Sequence, residues 1–122
     1  MVFVTGGTGL LGTHILLELL SRGEEVRALK RSTSDLEQVR SVFKFYLNQR
    51  ADEEFTKIEW VDGDLLDILS LEDGIRGCSK VFHCGAMVSF LKRDFEQMWK
   101  INKVGTENIV NVCLDQKIDH LT

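Results

Sequence analysis

The chain has 122 residues, of which 43% are hydrophobic and 28% are charged, and its formal net charge is −4. This balance is typical of one folded domain and excludes a disordered chain. The acidic excess without a dense basic stripe argues against nucleic acid as a partner, and no apolar run is long enough to predict a membrane-spanning helix.

The first predicted strand, at residues 2–5, leads through a glycine-rich turn into a helix predicted at residues 10–21. The turn reads T-G-G-T-G-L-L-G and fits both the G-x-G-x-x-G and the G-x-x-G-x-x-G spacing. Glycines let backbone N–H groups approach a ligand, and the N-terminus of the following helix favours a pyrophosphate. The alternative is a glycine-rich turn that holds no ligand. In this context we expect a dinucleotide-binding turn formed by Gly6, Thr8, Gly9, Leu10, Leu11 and Gly12.

The second predicted strand, at residues 26–29, is followed by the basic pair Lys30-Arg31. Many dinucleotide sites carry an acidic residue here that binds the 2′-hydroxyl of the ribose, whereas a basic residue suits a 2′-phosphate. The pattern therefore favours NADP as the cofactor, with NAD as the alternative. Arg31 is the expected ligand because a guanidinium binds phosphate in a bidentate manner. The pair could also be simply solvated at the strand end.

A second helix is predicted at residues 34–48, followed by a loop at residues 49–56. Ser34 is the expected N-cap of this helix, because Glu37 follows it at capping-box spacing. The segment after the helix is polar, and its composition indicates a loop rather than a further element.

The third predicted strand, at residues 57–61, is followed by Asp64 and Leu65. Ligands bind at the carboxyl edge of open parallel sheets, which is where these two residues are expected. The Asp64 carboxylate could accept a hydrogen bond from an adenine amino group. An aspartate that only shapes a turn is a serious alternative.

A short helix at residues 71–75 precedes the fourth predicted strand, at residues 80–84. The small residues at the end of this strand leave room for a ribose or nicotinamide, although a tight turn alone would also explain them. Cys84 itself is interpreted as a small buried hydrophobe rather than a nucleophile. The candidate ligands at this place are Cys84, Gly85 and Ala86.

A long helix is predicted at residues 94–116, before a last strand at residues 119–122. Asn102 falls on the apolar stripe of that helix, together with Phe95, Met98, Gly105, Ile109 and Val112. We therefore expect Asn102 to be buried, and a buried amide must find hydrogen-bond partners. A purely structural role for Asn102 stays open.

Strands and helices thus alternate through the chain, which predicts an α/β fold with a doubly wound parallel sheet. Three cysteines without C-x-x-C spacing and three scattered histidines indicate neither a disulfide framework nor a metal site. Reduced thiols are typical of a cytoplasmic protein, and the first residues lack the basic flank of a signal peptide.

The ordered motifs resemble those of the extended short-chain dehydrogenase/reductase superfamily, in its NAD(P)-dependent epimerase/dehydratase group. The glycine turn is similar to its T-G-x-x-G-x-x-G motif, residues 63–67 to G-D-L-x-D, residues 81–86 to V-F-H-x-A-A, and residues 102–108 to N-x-x-G-T-x-N. The resemblance implies a Rossmann-like domain. It also implies that Asp64 and Leu65 lie at the adenine, that residues 84–86 line the cofactor, and that Asn102 bonds the neighbouring strand. Gly85 stands where the family usually has alanine.

The catalytic Y-x-x-x-K pair of the superfamily does not occur in this sequence. Tyr46 is the one tyrosine, and Arg50 rather than lysine follows it four residues later. No catalytic residue is therefore predicted. We expect residues 1–122 to be the NAD(P)-binding N-terminal part of a longer enzyme, truncated at about strand five. The catalytic helix and the substrate domain would be absent, and this part alone would be inactive.

The resemblance implies an oxidoreductase, epimerase or dehydratase that transfers a hydride between the nicotinamide and a carbinol or carbonyl carbon of a small-molecule substrate. The alternative in the same superfamily is a redox sensor that binds the dinucleotide without turnover. A P-loop protein is excluded because G-x-x-x-x-G-K-[ST] is absent, and a flavodoxin-like protein is a weaker alternative. The family is often dimeric through the long helix, so a homodimer is left open.

Overall fold

Helices and strands alternate along the chain in the computed structural model, which describes residues 1–122. The strands are β1 Val2–Thr5, β2 Val26–Lys30, β3 Glu59–Asp62, β4 Lys80–His83 and β5 His120–Leu121. The helices are α1 Leu10–Ser21, α2 Glu37–Leu47, α3 Ala51–Thr56, α4 Ile68–Ile75, α5 Phe95–Trp99 and α6 Gly105–Asp115. Short 3₁₀ turns cover Asn48–Arg50 and Lys92–Asp94, and a π-helical segment, Lys100–Val104, joins α5 to α6.

All five strands form one parallel sheet in the order β3-β2-β1-β4-β5. β1 is central, and its Val2 lies beside Val26 of β2 and Lys80 of β4. The chain proceeds outward from β1 to one side through β2 and β3, and then to the other side through β4 and β5. This reversal opens a crevice at the carboxyl ends of β1 and β4, which is where open α/β sheets bind ligands.

Two hydrophobic cores lie on opposite faces of the sheet, because alternate strand residues point to opposite sides. Val2 and Val4 of β1 belong to the core formed with α1, α2 and α3, whereas Phe3 belongs to the core formed with α4 and α6. All three side chains are buried. The predicted doubly wound parallel sheet is therefore confirmed.

The start of α2 and the predicted loop after it differ from the sequence expectation. Ser34 is not the N-cap: its hydroxyl accepts a hydrogen bond from the Arg31 N–H, and its own N–H donates to the Arg31 carbonyl. Ser34 thus closes a turn after β2, and the helix begins at Glu37. The predicted loop at 49–56 is mostly helix α3, because Ala51 and Phe55, one turn apart, are both buried in the core.

The predicted long helix is divided by the π-helical segment. Each i→i+5 hydrogen bond places one extra residue in the turn, so the buried face rotates relative to a continuous α-helix. No residue of α5 or of the π-helical segment is buried, whereas α6 buries five residues against the sheet and α4. The continuous apolar stripe expected from Phe95 to Val112 is therefore wrong in its first half.

Candidate functional site

A cleft of about 490 Å³ lies at the carboxyl edge of the sheet. Segments that follow β1, β2, β3 and β4 contribute to it, together with the side of α5 and the π-helical segment. The lining includes nine predicted site residues, namely Gly6, Thr8, Gly9, Arg31, Asp64, Leu65, Cys84, Gly85 and Ala86. It also includes residues that the sequence did not single out as ligands, among them Thr5, Lys30, Ser34, Gly63, Met87 and Val88.

The glycine turn passes close to the loop after β4. Gly6 has a φ of +71°, and a Cβ atom there would lie 2.5 Å from the Cys84 carbonyl carbon. Gly12 is equally constrained, since its Cβ atom would lie 1.9 Å from the Gly6 oxygen. Only glycine fits at these two positions. At Gly6 the backbone after β1 packs against the backbone after β4, and at Gly12 the helix packs against the turn.

The N-terminus of α1 opens into the cleft at this turn. Gly9 is the N-cap residue and offers no side-chain cap, so the first N–H groups of the helix are left to a ligand. The Thr13 hydroxyl, 3.0 Å from the Gly7 carbonyl and 2.7 Å from the Gly9 carbonyl, secures the turn from inside. Thr13 is a supporting residue that sequence reasoning missed.

Leu10, Leu11 and Gly12 do not line the cleft with side chains. Leu10 and Leu11 are 79% and 64% exposed. None of the three is among the residues that line the cleft. Their contact with a cofactor therefore stays a prediction, and what the structure gives Gly12 is the close packing of the helix on the turn.

Arg31 is the unpaired cation at the β2 end of the cleft. Its side chain makes no hydrogen bond or ion pair within the chain, whereas Lys30 pairs with Asp62 at 2.5 Å across the β2–β3 register. The turn closed by Ser34 holds Arg31 in place through both backbone groups of the arginine. Of the predicted basic pair, only the guanidinium is left for a ligand.

Asp64 is both a turn aspartate and a cleft residue. One carboxylate oxygen accepts the Leu66 N–H at 2.8 Å, while the Ser70 hydroxyl accepts the Asp64 N–H at 3.1 Å. The other carboxylate oxygen has no partner in the chain. The two interpretations of Asp64 are therefore compatible, because the turn fixes the carboxylate and still leaves an acceptor at the cleft.

A chain of hydrogen bonds connects the end of β1 with α6 through His83. The Gly85 N–H donates to the buried Thr5 hydroxyl oxygen at 3.0 Å, and that oxygen lies 2.7 Å from His83 Nδ1. On the other side of the ring, Nε2 lies 3.0 Å from the Thr106 hydroxyl oxygen. Burial lowers the pKa of His83 below its ordinary value, so the ring is neutral at pH 7.

Cys84 lines the cleft as a protonated thiol. Burial raises its pKa, and a thiol that is not ionised is a poor nucleophile. Cys84 is half-buried rather than buried as predicted, but its protonated thiol agrees with a small apolar residue rather than a nucleophile. Beside it, a Cβ atom on Gly85 would lie 3.0 Å from Leu65 Cδ1 and 3.1 Å from Thr5 Oγ1, so glycine suits this crowded place.

The expectation that Asn102 is buried is wrong, because the π-helical segment rotates it off the packed face. Its amide nevertheless has two backbone partners beyond the end of β4. Asn102 Oδ1 accepts the Met87 N–H at 2.8 Å, and Nδ2 donates to the Met87 carbonyl at 2.9 Å. Asn102 does not line the cleft; it fixes the segment that does.

Other chemistry is scarce around the cleft. No group of three His, Cys, Asp or Glu side chains is arranged to hold a metal ion. Tyr46 lies on α2, outside the cleft, where its hydroxyl is 3.2 Å from His14 Nε2. None of the helices combines the length and the apolarity that crossing a membrane requires.

Comparison with known proteins matches residues 2–122 to the model of the NAD dependent epimerase/dehydratase family. The chain is 33% identical to a decarboxylating sterol-4-alpha-carboxylate 3-dehydrogenase of Dictyostelium discoideum, over 92% of this chain and 30% of that protein. It is 30% identical to a dihydroflavonol 4-reductase of Gerbera hybrida, over 95% of this chain and 30% of that protein.

The fold is shared with solved structures. A short-chain dehydrogenase/reductase superfamily protein from Agrobacterium tumefaciens, solved with bound NAD, superposes with a TM-score of 0.74 and 27% identity. That match covers 99% of this chain and 31% of the other. The chain spans between 27% and 31% of the length of the first curated relatives that it matches.

Proposed function

This chain belongs to the NAD-dependent epimerase/dehydratase family, and we propose that its cleft binds a nicotinamide dinucleotide as the cofactor of an oxidoreductase. The observation that carries the proposal is the glycine turn itself. It presents the uncapped N-terminus of α1 at the switch point of the sheet, between Arg31 on one side and Gly85 on the other. A pyrophosphate fits a helix N-terminus, and the two halves of a dinucleotide then extend to either side.

The residues present fit such a cofactor from end to end. Arg31, Asp64 and Leu65 lie at the ends of β2 and β3, where they would hold the adenosine half. Gly85 and Ala86 follow β4 and would line the nicotinamide half. The bound nicotinamide would supply or accept a hydride at a substrate carbon.

We further propose that the cofactor is NADP rather than NAD. Arg31 is free of internal partners at the place where the ribose 2′-position is expected, and Lys30 already pairs with Asp62. β2 ends in Lys30, followed by Arg31, rather than in the acidic residue that would bind a 2′-hydroxyl and repel a 2′-phosphate. The Arg31 guanidinium can form a charge-assisted, bidentate pair with the 2′-phosphate of NADP. NAD has only a 2′-hydroxyl at this position and cannot form such a pair.

Calorimetric titration of the chain with NADP⁺ and NAD⁺ tests this preference. Arg31→Ala should weaken NADP⁺ binding by about 10- to 100-fold and leave NAD⁺ binding nearly unchanged. Arg22→Ala is the matched control, because Arg22 follows the far end of α1 and pairs with Glu18. Equal affinity for both dinucleotides in the wild-type chain would contradict the NADP preference but not the dinucleotide site.

The surface beyond the nicotinamide end favours an apolar substrate. The segment after Met87 exposes Val88, Phe90 and Leu91, and Phe90 is 99% exposed. A sugar nucleotide would call for polar partners here, whereas a sterol or flavonol skeleton would cover these side chains, as the names of two relatives suggest. We propose a carbinol or ketone on an extended apolar skeleton as the substrate of the whole protein.

A turnover assay on a longer protein that contains this chain distinguishes an enzyme from a redox sensor that binds the dinucleotide without turnover. With NADPH and a panel of keto-sterols and flavonoid ketones, an enzyme should oxidise the cofactor. UDP-sugars incubated with NADP⁺ or NAD⁺ should give no epimerised or dehydrated product, which is analysed directly because such reactions consume no cofactor. Binding of NADPH without turnover on any member of the panel would support the sensor. Turnover on UDP-sugars alone would contradict the apolar substrate.

A further inference from the structure

Six residues form a closed ring of hydrogen bonds around the segment that lines the β4 end of the cleft. That segment is 85–87. It is held at one end by the Gly85 N–H on Thr5 Oγ1, at 3.0 Å. At the other end, the Met87 N–H and carbonyl bond the Asn102 amide at 2.8 and 2.9 Å.

His83 and Thr106 connect the two ends of the ring. His83 Nδ1 lies 2.7 Å from Thr5 Oγ1, and Nε2 lies 3.0 Å from Thr106 Oγ1. The Thr106 hydroxyl lies 2.7 Å from the Asn102 carbonyl oxygen. The ring therefore runs in one circuit through β1, β4, the π-helical segment and α6.

Two groups with a fixed role determine the direction of every hydrogen bond in the ring. The Asn102 carbonyl can only accept, and the Gly85 N–H can only donate. The Thr106 hydroxyl therefore donates to the Asn102 carbonyl and accepts the proton of His83 Nε2. A neutral imidazole with its proton on Nε2 has an unprotonated Nδ1, which accepts a hydrogen bond from the Thr5 hydroxyl. The Thr5 oxygen is then free to accept the Gly85 N–H.

We propose that His83 and Thr106 are positioning residues that hold segment 85–87 in place for the nicotinamide half of the dinucleotide. Neither residue lines the cleft, so both act through the segment. The inference rests on the proposed function, and it adds a specific dependence of the nicotinamide side on two side chains outside the site.

The adenosine side has a separate support, which makes the dependence testable. Asn108 Nδ2 donates to the Leu65 carbonyl at 2.9 Å, and Leu65 is one of the residues beside Arg31 and Asp64 in the cleft. Asn108 and Thr106 are neighbours on α6, but the first holds the loop after β3 and the second holds the ring after β4. Substitution of Asn108 should therefore weaken the binding of the adenosine half of the ligand, and substitution of Thr106 the binding of the nicotinamide half.

Calorimetric titrations with NADP⁺ and with 2′,5′-ADP, which is its adenosine half, separate the two supports. Thr106→Val keeps the side-chain volume and removes the hydroxyl. It should weaken NADP⁺ binding by about five- to tenfold and leave 2′,5′-ADP binding unchanged. Thr106→Ser restores the hydroxyl and should bind both ligands like the wild-type chain. Asn108→Ala should weaken both ligands.

Amide hydrogen exchange gives a second readout that needs no ligand. The Gly85 and Met87 amides should exchange faster in Thr106→Val than in the wild type, and in Thr106→Ser they should be as protected as in the wild type. In His83→Asn, the shorter side chain can still bond Thr5 but cannot reach Thr106. The Met87 amide should therefore exchange faster than in the wild type, and the Gly85 amide should be less affected. Imidazole nitrogen NMR shifts should show the proton on Nε2.

The proposal is overturned if Thr106→Val leaves NADP⁺ affinity unchanged, or if it weakens NADP⁺ and 2′,5′-ADP equally, as a general loss of folding would. Should the wild-type chain bind neither ligand, the proposed function is contradicted, and the exchange rates still decide whether the ring holds the segment. Unchanged exchange of Gly85 and Met87 in Thr106→Val would refute the ring.

Discussion

Gly9 and Gly12 lie three residues apart in one turn, but an added methyl group would meet different surroundings at each. A Cβ atom on Gly12 would lie 1.9 Å from the Gly6 oxygen, which is backbone and cannot move aside. At Gly9 the nearest atom is 3.4 Å away, an ordinary van der Waals contact. Gly12→Ala should therefore lower the free energy of unfolding by about 3 kcal/mol or more.

Thermal unfolding followed by circular dichroism measures the difference. Gly9→Ala is the matched control and should unfold near the wild-type temperature, because its backbone lies in an extended region open to any residue. Two variants with the same melting temperature would contradict the close approach of Gly12 to Gly6.

His83 should make the stability of the chain depend on pH. Burial lowers the pKa of His83 in the folded state, whereas in the unfolded chain the pKa keeps its ordinary value of about 6.5. At a pH just below that value, the unfolded chain therefore binds a proton more readily than the folded chain. The stability that the neutral ring contributes is present above that value and is lost as the pH falls through the lower folded pKa. Denaturant unfolding at a series of pH values measures this.

The non-titrating comparator for this measurement is His83→Asn. All other side chains are the same in the two chains, so the difference between the two stability curves isolates His83. The wild-type chain should lose stability faster than His83→Asn as the pH is lowered from about 7 to 5. Parallel curves over that range would show that protonation of the His83 imidazole does not lower the free energy of unfolding, which would contradict the prediction.

The residues that line the cleft were predictable where they follow the end of a strand. The glycine turn, Arg31, Asp64 and residues 84–86 all follow strand ends, and strand ends of a parallel sheet meet at one edge. The His83–Thr106 pair could not be predicted, because 23 residues separate the two side chains and only the packing of α6 brings them together. Arg31 could be chosen over Lys30 on chemistry, but the pairing of Lys30 with Asp62 needed the strand register.

At the scale of elements, α4 begins with a side-chain cap that is linked to the cleft residue Asp64 through Ser70. Asp67 is its N-cap and accepts the Ser70 N–H at 3.3 Å, and the Ser70 hydroxyl in turn accepts the Asp64 N–H. Asp67→Ala should cost about 1 kcal/mol of unfolding free energy, because it leaves a helix N–H without its acceptor. Urea unfolding gives the value.

Asp73→Ala is the matched control on the same helix. Asp73 is exposed and only pairs with Arg76 one turn away, an interaction that contributes little at a surface. It should unfold within about 0.5 kcal/mol of the wild type. Equal losses in the two variants would show that the cap contributes no more than a surface ion pair.

Element types were predictable where the hydrophobic period was long and regular, as in α1, whose predicted bounds are those observed. α3 was missed because its six residues carry three acidic side chains, and the two apolar ones at Ala51 and Phe55 count only once Phe43 provides a surface for them. The π-helical segment escaped prediction because its hydrogen bonds depend on tertiary packing rather than on residue type.

On the scale of the whole molecule, five large apolar residues between β4 and α6 are exposed, namely Val88, Phe90, Leu91, Phe95 and Trp99. Exposed apolar side chains of this size favour association in water. We expect light scattering after size-exclusion chromatography to give a mass that rises with concentration, and a Phe90→Ser, Phe95→Ser double variant to lower it.

Leu114→Ser on α6 separates this surface from a helix-mediated homodimer. Leu114 of α6 is exposed and lies far from the loop after β4 in the sequence. If Leu114→Ser abolishes association and the double variant does not, contact is made through the helix. A mass of one chain at every concentration would contradict association through either surface.

NADP⁺ titration of the nitrogen-15-labelled chain, followed by amide NMR shifts, tests the dinucleotide site most directly. We expect shifts at the glycine turn, Arg31, Asp64–Leu65 and Gly85–Ala86, all at the carboxyl edge of the sheet. Residues of the second concavity, at the opposite edge around Gly23, Glu24 and Lys57, should not move. Shifts confined to that opposite edge, or none at saturating NADP⁺ and NAD⁺, would contradict a dinucleotide site in this cleft.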